Sequence, residues 1–440
     1  MFAFGYCLGW FSLMLPKLQS PTETSLTFVL TLNDGSWMAG LTALGAGFGS
    51  IAFGVLADRI GRKACLYILA IPLIASWIMV YYTYTVNYLL GSRFVVGLST
   101  GGAFVIIPLF IGEISDPKIR GCLSSFFSLS FYIGAIFGYV TTPRLSYHLL
   151  ALVGVALGVI YLISQMIFPE TPMYLLQCGQ ESRAMESLKF YRNYQPTHGD
   201  TIKEFEHEFD SMKEAVNEQT CNKEHLTWRD FCNKRARRAF GNGFVLMLLN
   251  VFCGASAMLH FTASIFDAAR TPIHRDTNSL IVGCIQVTGV YIATILVDTF
   301  GRKPLLIFSA GATCIGMTML GAYDFLLQNT YVNMSEFSAW LPLANVCIIM
   351  FVVNVGLMPI PFVMLVELMP PKIRAEATSA CLVVYEILCF ILLKMFPIIS
   401  AAFGFAVPMW FFAIICLLGS IYVACFIKET KGMLINDENI

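Results

Sequence analysis

Fixed charge in the apolar parts of this sequence recurs in two near-copies of one phrase. Asp58-Arg59-Ile60-Gly61-Arg62-Lys63 returns 240 residues later as Asp298-Thr299-Phe300-Gly301-Arg302-Lys303. An acid and two bases at this spacing hold and release ion pairs rather than break bonds, and the planar guanidinium fork suits a carboxylate partner. Carboxylates follow in matching order. Glu113 precedes Arg120 by seven residues in GEISDPKIRG, and Glu367 precedes Arg374 by seven in VELMPPKIRA. A third echo, PETP at 169–172 and KETKG at 428–432, closes each half. The second and third echoes recur at offsets of 254 and 259 residues, so the order is kept and the chain reads as one unit duplicated.

The elements that must carry these charges are membrane helices. Of 440 residues 57% are hydrophobic and only 13% are charged, about half the charged share of a soluble domain. Apolar runs of roughly 20 residues, each long enough to cross about 30 Å of hydrocarbon, recur along nearly the whole chain. Twelve spans are expected, from residues 2–15 to 405–427. The opening MFAFGYCLGWFSLMLPKL has neither basic leader nor small-residue cleavage site and reads as a membrane helix. Zero net charge gives no reason to expect nucleic acid. The 14 Cys show no metal-type spacing and fall mostly in apolar runs, where they pack. Neither a metal, a cofactor nor a nucleophile–base constellation is implied, so an enzyme is not expected.

These spans divide into an N-terminal bundle (1–168), a polar linker (169–238), a C-terminal bundle (239–427) and a tail (428–440). Within the linker, ESRAMESLKFYRN and TIKEFEHEFDSMKEAVNEQ have helical periodicity, with Phe205, Phe209 and Met212 on one face. With the N-terminus inside, 22 of the 28 Lys and Arg fall in inner loops, the linker and the tail, which makes the linker and both termini cytoplasmic. The sequon at Asn333 then falls outside, where a glycan is expected. Gly40, Gly45, Gly47 and Gly49 suit close helix packing, and Pro108, Pro359 and Pro361 are expected to break helices.

The repeated motifs, with GSRFVVG at 91–97 and PIPFVMLVELMP at 359–370, resemble those of the sugar porter family of the major facilitator superfamily. The match covers the whole chain. LGWFSLMLPKL, GSWMAGLTALGAGFG and GCIQVTGVYIATILVD most resemble its insect facilitated trehalose transporter-like branch. This implies an all-α membrane protein with twelve transmembrane helices in two pseudo-symmetric six-helix bundles and short intracellular helices. It also implies plasma-membrane transport of a sugar, either a hexose or a trehalose-like disaccharide, or of a polyol. Binding would lie near the midplane and alternating access would need no cofactor. The charges Asp58, Arg59, Arg62, Glu113, Arg120, Asp298, Arg302, Glu367 and Arg374 would then pair across the halves when the cytosolic side is shut, a bistable latch. Anchoring of topology is the plainer reading, but it does not require carboxylates at repeated spacings.

By motif, the family's substrate positions fall on Ser128, Asn250, Ser256, Gln286, Phe362, Tyr385 and Glu386. Several depart from the family pattern. Ser128 replaces a glutamine, Asn250 and Val251 replace a glutamine pair, Ser256 replaces an asparagine and Phe362 a tryptophan. Each buried sugar hydroxyl left unpaired costs about 1–3 kcal/mol, so the standard hexose pocket is not reproduced. Glu386, a carboxylate inside a span, admits three readings: an acceptor for substrate, a proton-coupling site, or a neutral acid bonded to a helix carbonyl. Lys394 is two turns away, too far for an ideal bridge. The family's proton symporters carry an acid in the first helix; none stands there here, so uniport is the default. His260 either gates the outer mouth or packs. A transport-dead sensor that uses the same rocking is the reading of a different class.

Overall fold

The computed structural model describes residues 1–116, 119–194, 199–224, 233–268, 273–329, 340–370 and 373–429. Among these the ordered structure is helical throughout. The first half contains α1 (Phe2–Gln19), α2 (Leu32–Ile60), α3 (Arg62–Tyr81), α4 (Val86–Ile114), α5 (Arg120–Thr141) and α6 (Tyr147–Ser164). Three linker helices follow, α7 (Pro172–Gln177), α8 (Glu181–Arg192) and α9 (Gly199–Glu224). The second half contains α10 (Lys234–Phe252), α11 (Ala255–Ala268), α12 (Arg275–Phe300), α13 (Arg302–Asn329), α14 (Leu341–Val355), α15 (Ile360–Leu368), α16 (Arg374–Phe403) and α17 (Ala406–Phe426).

Eleven stretches among the described residues are long and apolar enough to cross a membrane. The remaining expected span is α1, of 18 residues, and 15 of these are buried. It is wrapped by protein on nearly every side, which is why it needs no lipid-facing stripe. The seventh and tenth spans are each made of two helices, α10 with α11 and α14 with α15. Gly254, at φ 85°, supplies the first interruption; only glycine takes that conformation without strain. Residues 356–359 supply the second, with Pro359 and Pro361 at its far edge as expected. Pro108 behaves otherwise. It lies inside an unbroken α4, so the expected break there does not occur.

Within the first half α2 packs on α4 and α1 on α5; within the second, α13 packs on α17 and α12 on α14. A Cβ on Gly45 would stand 2.3 Å from the Phe94 carbonyl oxygen, and one on Gly101 2.0 Å from that of Ala46. The α2–α4 backbones therefore touch through glycine, where small residues replace the missing hydrophobic drive between helices in lipid. Three pairs join the halves: α2 with α16, α5 with α12, and α1 with α11.

The linker helices build a small core of their own. Leu175, Leu176, Leu188, Phe205, Phe209 and Val216 are buried together, with Met212 packed against them. Arg192 ties this layer to the bundle by donating to the Ile114 carbonyl at 2.8 Å, at the C-terminal end of the α4 dipole, while it grips Glu208 at 2.6 Å. We call this end of the molecule the linker face and the opposite end the far face.

Candidate functional site

At the linker face the repeated charges are joined, but within each half. Arg62 is only 4% exposed, and its Nη2 lies 2.8 Å from Glu113 and 3.8 Å from Asp58. Its Nη1 donates to the Ala57 carbonyl at 3.0 Å, and its guanidinium lies over the Tyr174 ring at 5.2 Å. Thr171 donates to the other Glu113 oxygen at 2.6 Å. In the second half Arg302 meets Glu367 at 3.3 Å. The latch across the halves is expected only in the state shut at this face; in the present state each arginine closes on the acid of its own half. The repeat explains why, since the loop after the second helix of a unit sits beside the end of that unit's fourth helix. Arg59 is exposed and contributes its carbonyl to the Tyr174 hydroxyl at 3.0 Å. The side chains of Arg120, Asp298 and Arg374 lie outside what the structure describes, as does Asn333 altogether.

Sequence reasoning missed what the third echo does. Glu170 accepts from the backbone N–H groups of Arg62 and Lys63, each at 3.1 Å, at the start of α3. Glu429 accepts from those of Arg302 and Lys303, each at 3.0 Å, at the start of α13. Each carboxylate satisfies donors that a helix start leaves orphaned and meets the positive end of its dipole. The signal was in the sequence as PETP and KETKG; that these glutamates return to the Gly-Arg-Lys turns was not.

Nearer the midplane the substrate positions separate into two groups. Asn250 is fully buried, and its Nδ2 donates to the Leu357 carbonyl at 2.6 Å and more weakly to that of Met358 at 3.3 Å. It therefore holds the interrupted tenth span. Ser309 completes the repair by donating to Val352 O at 2.7 Å and accepting from Leu357 N–H at 3.1 Å. Gln286 is 1% exposed, and its Nε2 points at the Met350 sulfur, 3.4 Å away. Asn354, which sequence reasoning did not single out, donates to Met350 O at 2.8 Å and packs where Gly289 of α12 leaves room. The amide oxygens of all three, Asn250 Oδ1, Gln286 Oε1 and Asn354 Oδ1, are buried without a hydrogen-bond partner. Unpaired buried acceptors are uncommon, and each asks for a donor.

The second group lies at the seam. Tyr385 packs edge-on against Phe362 at 5.3 Å. Glu386, one residue on, faces α2, where a Cβ on Gly47 would approach its Cβ to 3.2 Å. No hydrogen bond or salt bridge to a described residue engages the Glu386 carboxylate, so the reading of a neutral acid bonded to a helix carbonyl finds no carbonyl partner. Lys394, as expected, does not reach it. Ser256 is buried; its carbonyl lies 2.8 Å from His260 Nδ1, and the His260 ring meets Phe11 of α1 at 6.0 Å. His260 thus packs at a joint between halves. Ser128 is half-buried on α5 without a hydrogen bond to a described residue.

Contacts between the halves concentrate away from the linker face. Lys394 of α16 donates to Asn33 Oδ1 at 2.7 Å and Ser36 Oγ at 2.8 Å, and lies 4.4 Å from the Trp37 ring centre. Arg275 bridges Glu23 of the first half and Asp267 of the second. Deeper, Tyr132 packs with Leu8, Leu259 and Val290, and Tyr139 with Leu13 and Ala263. Thr294 donates to Ser125 at 3.0 Å on the linker side. The far face is shut.

Two broken spans, a duplicated six-helix plan and polar groups at the seam define a secondary-transporter fold of the major facilitator type. The chain belongs to the family of sugar (and other) transporters, whose model matches residues 2–437. A facilitated trehalose transporter Tret1 of Polypedilum vanderplanki is 31% identical over 97% of this chain and 83% of its own. The Tret1-2 homolog of Drosophila sechellia is 30% identical over 95% and 84%. In shape the chain is similar to the xylose transporter of E. coli in its partially occluded inward-open conformation, with a TM-score of 0.77 at 19% identity over 97% of both chains. Another inward-open structure of that transporter gives 0.77 at 21% identity, covering 99% of this chain and 95% of its own.

Proposed function

We propose that this protein is a facilitative carrier of a sugar or polyol, a hexose or trehalose-like disaccharide foremost, working by alternating access in the plasma membrane. The linker face lies in the cytosol with both termini. The observation that carries the reading is the trio of buried amide oxygens around the tenth-span interruption. They are acceptors awaiting donors, and a polyhydroxylated solute brings donors in plenty, directly or through water. Aromatic Phe362 and Tyr385 add a surface for its C–H face. The similar transporters of trehalose and xylose agree with this class of cargo.

The chemistry is conformational. In the far-face-shut state the Lys394 and Arg275 contacts hold the outer ends together, and the reverse state must break them. The linker-face pairs Arg62–Glu113 and Arg302–Glu367 stiffen each bundle so that it moves as a body. Tracer uptake of trehalose, glucose and sorbitol in oocytes tests the proposal. Saturable uptake of at least one, above water-injected cells, is expected. Surface expression without flux of any would favour the sensor reading instead. Proton coupling keeps one observation in its favour, the unpaired Glu386 at the seam between α2 and α16.

A further inference from the structure

A recess lies apart from the midplane groups. At the far face residues of both halves line a partly open recess of about 500 Å³, within the size range of small-molecule sites. Leu15, Gln19, Gly35 and Ser36 supply its first-half wall. The second-half wall combines two chemistries. Phe261, Phe396 and Phe405 form an aromatic side, with the Phe261 and Phe396 rings 5.4 Å apart. Ser264, Asp324, Gln328 and Ser400 form a polar one.

The polar side is built and incompletely satisfied. Asp324 is 6% exposed, and its Oδ2 accepts from Gln328 Nε2 at 2.9 Å and from Ala406 N–H at 3.0 Å, which fixes it at the start of α17. Its Oδ1 makes no hydrogen bond to a described residue. The Ser400 hydroxyl is buried without a partner. A fixed carboxylate and an unpaired hydroxyl lining the same recess as phenylalanine rings suit a polyhydroxylated ligand: the acid takes hydroxyl protons and the rings take the C–H face. A dry apolar ligand would leave both groups unpaired, and a bare cation would meet only one acid.

We infer that this far-face cavity is an accessory site for a sugar or sugar alcohol, separate from the midplane transport site, and occupied only while the outer ends are closed. The restriction follows from its walls. They come from both halves, and Ser36, which lines the cavity, is also held by Lys394 across the seam. Opening the far face pulls the walls apart and dissolves the site. A solute bound there consequently favours the far-face-shut state and slows the carrier at high outside concentration. The ligand class is shared with the proposed cargo, but the site's existence is read from this cavity alone.

Thiol protection in the purified full-length protein in nanodiscs tests the inference. Ser400→Cys is treated with a charged methanethiosulfonate, against the wild-type background of native cysteines, with 0–200 mM trehalose or sorbitol. Modification is expected to slow at least about fivefold with one of these probes. Protection is expected to persist in a Gln286→Ala background and to disappear when Ser264→Trp fills the cavity. Ser264→Cys serves as a second reporter if Ser400→Cys does not fold. An unreactive thiol at both positions, no protection by either probe, or protection lost with Gln286→Ala would each overturn the inference. Failure of transport itself would show in oocyte flux, with thiol protection intact, so the two ideas fail separately.

Discussion

At the scale of single residues, the amide groups are where a small change should be felt most. Gln286 and Asn354 each keep one buried oxygen unpaired while the nitrogen is anchored. Replacing either by alanine removes the acceptor that the proposed function assigns to cargo, without uncapping a helix. Gln286→Ala is expected to lower uptake efficiency at least about tenfold at unchanged surface level, the loss of one or two hydrogen bonds; unchanged kinetics would take Gln286 out of the site. Asn250→Ala should behave differently, because its nitrogen repairs the tenth span, and a drop in folded yield is expected before any change in affinity. Glu386→Gln separates the readings of that acid. If it carries protons, pH-dependent uptake becomes flat while exchange survives; if wild-type uptake is already flat between pH 5.5 and 8, coupling is excluded. The family resemblance pointed to Gln286, and Glu386 stood out as a carboxylate in an apolar run, but Asn354 was missed. A lone asparagine in FVVNVG carries no pattern, and its role exists only through the gap left by Gly289.

At the scale of elements, most of the helical plan was legible because membrane helices announce themselves by length and composition. The linker helices were also legible, since Phe205, Phe209 and Met212 recur at helical spacing and do share a core. The interruption at Gly254 was not, because a single glycine among thirty apolar residues looks the same in a straight helix. The expected break at Pro108 failed for the opposite reason: one missing N–H is tolerated when the surrounding bundle holds the helix. Contact through glycine gives the firmest prediction here. Gly45→Leu places carbon where the Phe94 carbonyl already stands and should abolish monodisperse protein on size exclusion. Gly112→Ala, whose Cβ meets nothing within 4 Å, should leave the elution profile unchanged. Glu170→Ala and Glu429→Ala each strip the start of a helix of its acceptor. Each should cost about 1–3 kcal/mol, seen as an earlier thermal midpoint.

At the scale of the whole molecule, the duplicated motifs told which charges belong together but not across which boundary. Ordered recurrence marked Arg62, Glu113, Arg302 and Glu367 as one set without giving the within-half pairing; the contacts that span the halves use residues outside the repeated charge motifs. Lys394, Trp37, Arg275 and Glu23 had no echo to betray them. Motion between the halves can be stopped at the Thr294–Ser125 contact, 3.0 Å between oxygens. In a Ser125→Cys, Thr294→Cys pair, oxidation is expected to reduce uptake to background and a thiol reductant to restore it. Uptake indifferent to a crosslink confirmed by mass spectrometry would rule out relative movement of α5 and α12.

The duplicated halves have not diverged evenly. Both interruptions lie in the second half, at Gly254 and at 356–359, while their first-half counterparts α1 and α4 run unbroken. The charge clusters follow suit: Arg62 is 4% exposed and multiply held, whereas Arg302 is 21% exposed and Glu367 Oε2 stays unpaired. One copy has become the anvil and the other the spring. Strain from each stroke should therefore be absorbed almost entirely downstream of residue 239, and inherited or engineered damage to the transport cycle, as distinct from folding, should cluster there.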